Sequence, residues 1–362
     1  MPKFAALAVL VTLLATMLAS VAEAGVTRRV PQDHATVQAA LTAALTGDTV
    51  LLSKGVHQGP ATLSGKTGIT IRGLGAKSVL EADNTNGPVL YVLNCTDITI
   101  TKLRVRGDSW RGIQVETSDA TLIKKCRVEV NGPSTTAIIA ESCSEPRILD
   151  NVVRGAPAAG ITLSFSSDGQ VIDNDVRGVS GGGVTFSGAR NSVLGNTVSH
   201  CVSGVSSSGS GEDNLIADNV VKKLTSRGIS VQSNPTTRIL ENKIQKVDLY
   251  GIYTKTNGGL VHGNTIKKAG EIGIFVFATG NQTIASNDVR DTGGDGITSA
   301  SSGNTFLDND VRGSAQNGFR LSFGSDHLLV GNSAKKSGAA DLDANGATDV
   351  TLVENAFGSI AP

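Results

Sequence analysis

Ile239-Leu240-Glu241-Asn242-Lys243-Ile244, followed after a short gap by Gly251-Ile252, is one turn of a pattern that fills most of the chain. Asparagine recurs in the place of Asn242 at Asn151, Asn174, Asn196, Asn219, Asn264, Asn287, Asn309, Asn332 and Asn355, each 22 or 23 residues from the next. Leu103 and Cys126 continue the series backwards. Nine residues after most of these positions comes a small residue and then an aliphatic or aromatic one, as in Gly112-Ile113, Gly160-Ile161, Gly228-Ile229 and Gly318-Phe319. A period this tight marks one supersecondary unit that cannot bury its apolar face alone and must stack on its neighbours.

Two strand signatures per repeat are expected, one around the Asn and one from the Gly-Ile pair. A leucine-rich repeat has a similar period but requires leucine five residues before the Asn. That column reads Pro146, Gly169, Asn191, Asn214, Thr237, Gly259, Gln282, Asn304, His327 and Val350, which excludes it. What remains is an all-β, single-domain parallel β-helix solenoid. Each Asn is expected at a turn, in a left-handed backbone conformation, passing amide hydrogen bonds to its equivalents above and below. About 12 such positions imply a rod roughly 55 to 60 Å long.

The 43 glycines and low aromatic content suit short strands and tight turns. The 32 basic and 32 acidic residues balance, so no global field points to nucleic acid or an anionic membrane. Lys3, the apolar run Phe4 to Leu18 and Ala22-Glu23-Ala24 read as a signal peptide over 1–24, too short in its apolar part for a span; export to the periplasm or medium follows. Residues 25–66 read as a cap: a helix over Asp33 to Leu45, a strand at Thr49 to Leu52 and a turn holding His57. The solenoid then occupies 67–362. Cys95 and Cys143 share one column two coils apart, about 9.6 Å, which is beyond disulfide reach, so reduced structural thiols are expected.

Ala35-Thr36-Val37-Gln38-Ala39-Ala40, Gly47-Asp48-Thr49-Val50-Leu51-Leu52 and Gly55-Val56-His57, with the Asn and Gly-Ile repeats over nearly all the mature chain, resemble right-handed parallel β-helix proteins of the pectate-lyase-like superfamily. The resemblance implies right-handed coiling. It leaves activity open, because the scaffold hosts lyases, hydrolases, epimerases, esterases, tailspikes and adhesive surface proteins. The superfamily's hydrolase constellation and the Asp-Pro-His of its epimerases are absent. The likeness extends to copper-loading accessory proteins, but His200, His262 and His327 fall in different columns and Met17 lies in the signal segment.

Period-two alternation after the Gly-Ile pair assigns outward residues. Most are small and polar. One cluster stands out: Tyr253, Phe275 and Phe277 as an apolar platform for a sugar ring, with Gln232 one coil earlier and Lys255 alongside. A lyase or epimerase acting on a uronate needs a base for the C5 proton and a group that neutralises the carboxylate. Lys255 or Tyr253 is the candidate base and Gln232 the candidate carboxylate contact; the alternative is a solvated lysine beside aromatics packed under a loop or partner. A second stripe, three residues after the repeat Asn, reads Arg106, Arg154, Arg177, Lys222, Lys267, Arg290, Arg312 and Lys335. It fits a polyanion along the rod, unless the acidic column just before the Asn (Asp150, Asp173, Asp218, Glu241, Asp308, Glu354) offsets it. Calcium has candidates only in Asp288, Asp291 and Asp295, and no other cofactor is called for. The expectation is an exported protein that binds an acidic polysaccharide, with processing of lyase or epimerase type as its extension; the alternative is a non-catalytic glycan-binding, surface or structural rod of undetermined oligomeric state.

Overall fold

A computed structural model of the chain describes residues 25–83, 87–133, 135–278 and 280–361; the segment read as a signal peptide lies outside the described residues. The chain winds into a right-handed parallel β-solenoid with three sheets, of 15, 14 and 13 strands, all pairings between successive coils being parallel. We call them sheets 1, 2 and 3 in the order each coil visits them. One coil runs Arg238–Leu240 in sheet 1, Lys243–Val247 in sheet 2 and Ile252–Lys255 in sheet 3. The next coil lays Leu260–His262, Thr265–Ala269 and Ile274–Phe277 directly on these strands. Fifteen strands in sheet 1 give a rod about 65 Å long. This exceeds the expected length because coils before Leu103 join the same sheets.

The segment around each Asn, expected to be one strand, is two strands of different sheets. The bend between them falls on the residue before the Asn, not on the Asn. Asp150 (φ 56°), Asp173 (φ 55°), Asp218 (φ 57°), Glu241 (φ 53°), Asp308 (φ 50°) and Glu354 (φ 52°) take the left-handed conformation, with glycine in the same place at Gly195, Gly263 and Gly331. The acidic column is thus a set of bend residues. Bending there turns the Asn side chain inward, where it is dry: Asn174, Asn219 and Asn264 are almost fully buried.

Once inside, each Asn must be fully hydrogen-bonded. Asn151 donates its backbone N–H (2.9 Å) and Nδ2 (3.0 Å) to Oδ1 of Asn174. The same double donation links Asn174 to Asn196 and continues coil by coil to Asn332 and Asn355. Nδ2 also reaches a carbonyl of an earlier coil, as from Asn219 to Val193 at 2.8 Å. The column that excluded leucine-rich repeats turns out to be polar and buried as well: Asn191 donates its backbone N–H to Asn214 Oδ1, and Gln282 to Asn304 Oδ1. Between the polar bends the interior is stacked aliphatics such as Ile148, Val171, Val193, Ile216 and Ile239, each buried and worth about 2 kcal/mol. The glycine of the Gly-Ile pair is steric: a Cβ on Gly251 would lie 2.5 Å from both Gly273 O and Ile266 Cγ2.

At the N-terminal end the helix is Val37–Ala43, shorter than expected, with the Thr36 hydroxyl accepting from Ala39 N–H. It buries Val37, Ala40 and Leu41 against the first strands. His57 lies in the strand Gly55–Gln58 rather than a turn, its Nε2 2.9 Å from Ser53 O and its ring buried. All four cysteines are free and buried. Ser118 stands between Cys95 and Cys143 in their column: Cys95 N–H donates to Ser118 Oγ, and Cys143 N–H to Ser166 Oγ one coil further.

Candidate functional site

In sheet 3 the residue after each glycine (Ile113, Ile161, Ile229, Ile252, Ile274) points into the core. The next residue therefore faces out, and the parallel register stacks these residues into one continuous column. It runs Gln114, Ile139, Thr162, Thr185, Ser206, Ser230, Tyr253, Phe275, Thr298, Arg320 and Asp343.

Its middle is a groove of about 560 Å³ floored by short hydroxyl side chains and reaching Gln232. Thr162 and Thr185 share a 2.8 Å hydroxyl hydrogen bond across two coils. Phe165 stands at one end, 78% exposed and with φ 47°. An aromatic residue held in left-handed backbone and presented to water is strained and unburied at once, a combination found where a side chain has work to do outside the core.

The other end of the groove meets the aromatic cluster. Gln232 and Lys255 are register partners, as are Tyr253 and Phe275. The structure thus brings the five expected residues together, with Lys255 Nζ 5.8 Å from the Phe277 ring centre. It corrects one of them. Tyr253 leaves the sheet outward but is only 8% exposed, because Phe275 packs edge-on at 5.8 Å, Phe277 stacks at 6.2 Å and the Arg227 guanidinium lies 4.3 Å above its ring. Tyr250, stacked on Tyr253 at 5.9 Å, also belongs to the cluster. Burial first, and then the nearby Glu271, push its phenol above the ordinary value. Sequence reasoning missed Tyr250 and Arg227 because both precede the Gly-Ile strand, in a turn whose direction no periodicity sets.

Two polar networks flank these features on the same sheet. At the N-terminal side Tyr91 donates to Glu116 Oε2 (2.5 Å), Gln114 Nε2 donates to the same oxygen (2.9 Å), and Arg111 pairs with Glu141 at 3.3 Å. Burial and then the Glu116 hydrogen bond push the Tyr91 phenol up to about 12. At the other side Arg320 lies between Asp295 (3.7 Å) and Asp343 (3.8 Å).

The basic stripe forms a column too, but on sheet 2. Its register runs Glu81, Arg106, Glu129, Arg154, Arg177, Ser199, Lys222, Gln245, Lys267, Arg290, Arg312 and Lys335. The acids before the Asn do not neutralise it. Its partners lie on the strands themselves: Glu81 for Arg106 (2.6 Å), Asp175 for Arg154, Asp288 for Arg290 (2.6 Å) and Asp310 for Arg312. Among the described residues, Arg177, Lys222, Lys267 and Lys335 have no carboxylate at ion-pair distance.

Among the described residues no group of three or more His, Cys, Asp or Glu side chains converges as a metal site would. The three aspartates considered for calcium face different surroundings: Asp288 is held by Arg290, and Asp295 is buried, accepting from Asn317 and Thr298. His327, in the second polar column, is buried, and burial holds its pKa below the usual histidine value. No helix among the described residues is long and apolar enough to cross a membrane.

A family model described as right handed beta helix region matches residues 111–266 and 203–357. No curated protein sequence matches the chain. Among solved structures, the A-module of the Azotobacter vinelandii mannuronan C-5 epimerase AlgE6 is similar at 13% identity and a TM-score of 0.54, over 90% of this chain and 95% of that one. The catalytic domain of a GH87 alpha-1,3-glucanase is similar at 14% identity and a TM-score of 0.66, over 93% and 70%. The Dettilon tailspike protein is similar at 15% identity and a TM-score of 0.60, over 90% and 68%. At these identities the likeness is one of fold.

Proposed function

The chain belongs to the right-handed β-helix family, and on that premise we propose that it binds a polysaccharide along the outer face of sheet 3. The observation that carries this is the groove: a hydroxyl floor running from the exposed Phe165 to Gln232, whose register partner on the next coil is Lys255. Flat aromatic faces stack on the apolar faces of sugar rings, while short hydroxyls and amides exchange hydrogen bonds with sugar hydroxyls. The epimerase, glucanase and tailspike of like fold support a glycan as the class of ligand. Lys255 extends the reading to an acidic glycan, its ammonium, 5.8 Å from the Phe277 ring centre, offering a charge to a uronate carboxylate at that end of the groove.

Lysis or C5 epimerisation is the second reading, and Lys255 beside Gln232 favours it. A base must take the C5 proton while another group holds the carboxylate. Lys255 can fill one of those roles and Gln232 the other, whereas the covered Tyr253 packs beneath Phe277 and is neither base nor platform. The same surface serves a non-catalytic binder equally well, so binding is the conclusion and turnover its extension. Export, with cleavage near Ala24, completes the proposal and is tested by the N-terminus of the mature protein.

The experiment is a panel of neutral and acidic polysaccharides offered to the mature chain, with and without calcium, reading binding, unsaturated product absorbance and uronate epimerisation. At least one glycan is expected to bind, and Phe165→Ala and Phe277→Ala to weaken it about tenfold each. If no glycan binds, or both variants bind like the parent, the proposal fails.

A further inference from the structure

Three consecutive strands of sheet 2, Val220–Leu224, Lys243–Val247 and Thr265–Ala269, carry six lysines and no acidic residue: Lys222, Lys223, Lys243, Lys246, Lys267 and Lys268. Among the described residues none of the six has a carboxylate at ion-pair distance. Stacked coils hold equivalent side chains about 4.8 Å apart, so these ammonium groups repel one another along the rod. Gln245, Lys246, Lys267 and Lys268 line a shallow cavity of about 230 Å³ between them.

The backbone makes this more than a solvated face. Lys223 (φ 58°), Lys246 (φ 55°) and Lys268 (φ 61°) occupy a left-handed position that recurs in each coil. Elsewhere in that column glycine, which the conformation favours, stands at Gly155 (φ 69°), Gly178 (φ 70°) and Gly313 (φ 70°), while Asp291 (φ 55°) and Lys336 (φ 60°) also adopt it. Lysine is thus placed, three coils running, where backbone preference and charge repulsion both oppose it. His200 holds the same position one coil earlier (φ 55°). Local desolvation, then the charges of Arg177, Lys223 and Lys222, keep its pKa below the usual histidine value.

We propose that these six lysines form a binding rail for a linear acidic polysaccharide, uronate or sulfate bearing, on a face of the rod separate from the sheet 3 groove. The rail stands without the groove; the choice of a glycan over other polyanions rests on the proposed function. Three further observations favour that choice. The chain as a whole is neutral, 32 basic against 32 acidic residues, unlike the strongly basic domains that bind nucleic acids. The three strands present no aromatic ring for base stacking and no exposed large apolar side chain for insertion into lipid. Lysine is a point charge that tolerates an irregular row of carboxylates or sulfates, where phosphate recognition favours the arginine fork.

The decisive variant is Lys223→Gly/Lys246→Gly/Lys268→Gly in the mature chain. Glycine suits the left-handed position, so loss of charge is separated from loss of fold, and thermal unfolding checks this. Polygalacturonate, dextran sulfate, duplex DNA and anionic phosphatidylserine vesicles serve as probes, each at several salt concentrations. The expected result is salt-sensitive binding of polygalacturonate or dextran sulfate that falls at least about tenfold in the triple variant. Phe165→Ala/Phe277→Ala should leave that part of the binding in place, which separates rail from groove. Equal acidic-glycan binding by parent and triple variant, or tighter rail-dependent binding of DNA or vesicles than of either glycan, overturns the proposal; groove binding of a neutral glycan would survive either result.

Discussion

The strands Arg104–Gly107, Arg127–Val130 and Val152–Arg154 lie in the same sheet as Val220–Leu224, Lys243–Val247 and Thr265–Ala269, in one continuous register and behind the same left-handed bend. In the first stretch every arginine is ion-paired. Arg104 and Arg127 both reach Glu129, Arg106 reaches Glu81, and Arg154 reaches Asp175 on the next strand. The second places a lysine on six of its nine outward positions and no acid among them. One sheet and one register, with ion-paired charge in the first stretch and unpaired charge in the second, mean that the coil does not dictate surface charge, even though Leu103 and Cys126 hold ladder positions in the first stretch that are asparagine in the second. The unbalanced stretch is a local choice in a chain whose total charge is zero.

If the scaffolding is shared, removing the buried amide should hurt both stretches alike, and this is the largest effect expected. Asn219→Ala takes away Oδ1, which accepts from Asn196 N–H and Nδ2 at 2.9 and 3.0 Å, along with three Nδ2 donations. Asn151→Ala, in the first stretch, takes away an Oδ1 that accepts from Cys126 N–H at 2.9 Å, along with two Nδ2 donations. Each should cost about 3 kcal/mol or more in urea denaturation. A clear difference between the two would break the comparison.

Next in size is Glu129, the acid that two arginines of the first stretch share. Burial pushes the Glu129 carboxyl up, but hydrogen bonds and charge from Arg127 and Arg104 outweigh it and leave the pKa below the usual value. A depressed carboxylate contributes stability that is full above its unfolded pKa of about 4.3 and lost as pH falls through the folded one. Glu129→Gln should therefore cost about 1 kcal/mol at neutral pH and nothing in acid below both values. Freed of their acid, Arg104 and Arg127 should also add affinity for polygalacturonate. Equal destabilisation at both pH values would point to packing instead of charge.

Smallest is the exchange at the left-handed position. Lys246→Gly should raise stability by up to about 1 kcal/mol, and Gly178→Lys should lower it by a similar amount, although space is open around Gly178. A Lys246→Gly variant less stable than the parent in low salt would show that the lysines hold the coil together rather than serving a partner.

Much of the architecture was readable because stacking forces it into the sequence. Burying an amide in every coil demands Asn at a fixed period, and the close approach of coils at Gly251 demands glycine before the inward aliphatic. The number of strands per coil was not readable: two strands around each Asn share one alternating pattern, and only the left-handed residue before it breaks them. The second polar column was in view at Asn191, Asn214, Gln282 and Asn304, but its five-residue offset does not say whether side chains turn in or out.

For the candidate site, sequence alone determined which residues share a column, because a parallel register at constant period leaves no freedom in who stacks on whom. It placed Gln232 beside Lys255 and Tyr253 beside Phe275, and it drew the basic stripe. Tertiary structure alone decided what covers what. Tyr253 is outward by alternation yet buried by Tyr250, Arg227 and two phenylalanines, and half the basic stripe is cancelled by acids on the same or adjacent strands while the lysine rail is not. Columns follow from the period, which is one-dimensional, whereas exposure and ion pairing depend on the reach of side chains between columns and from the turns.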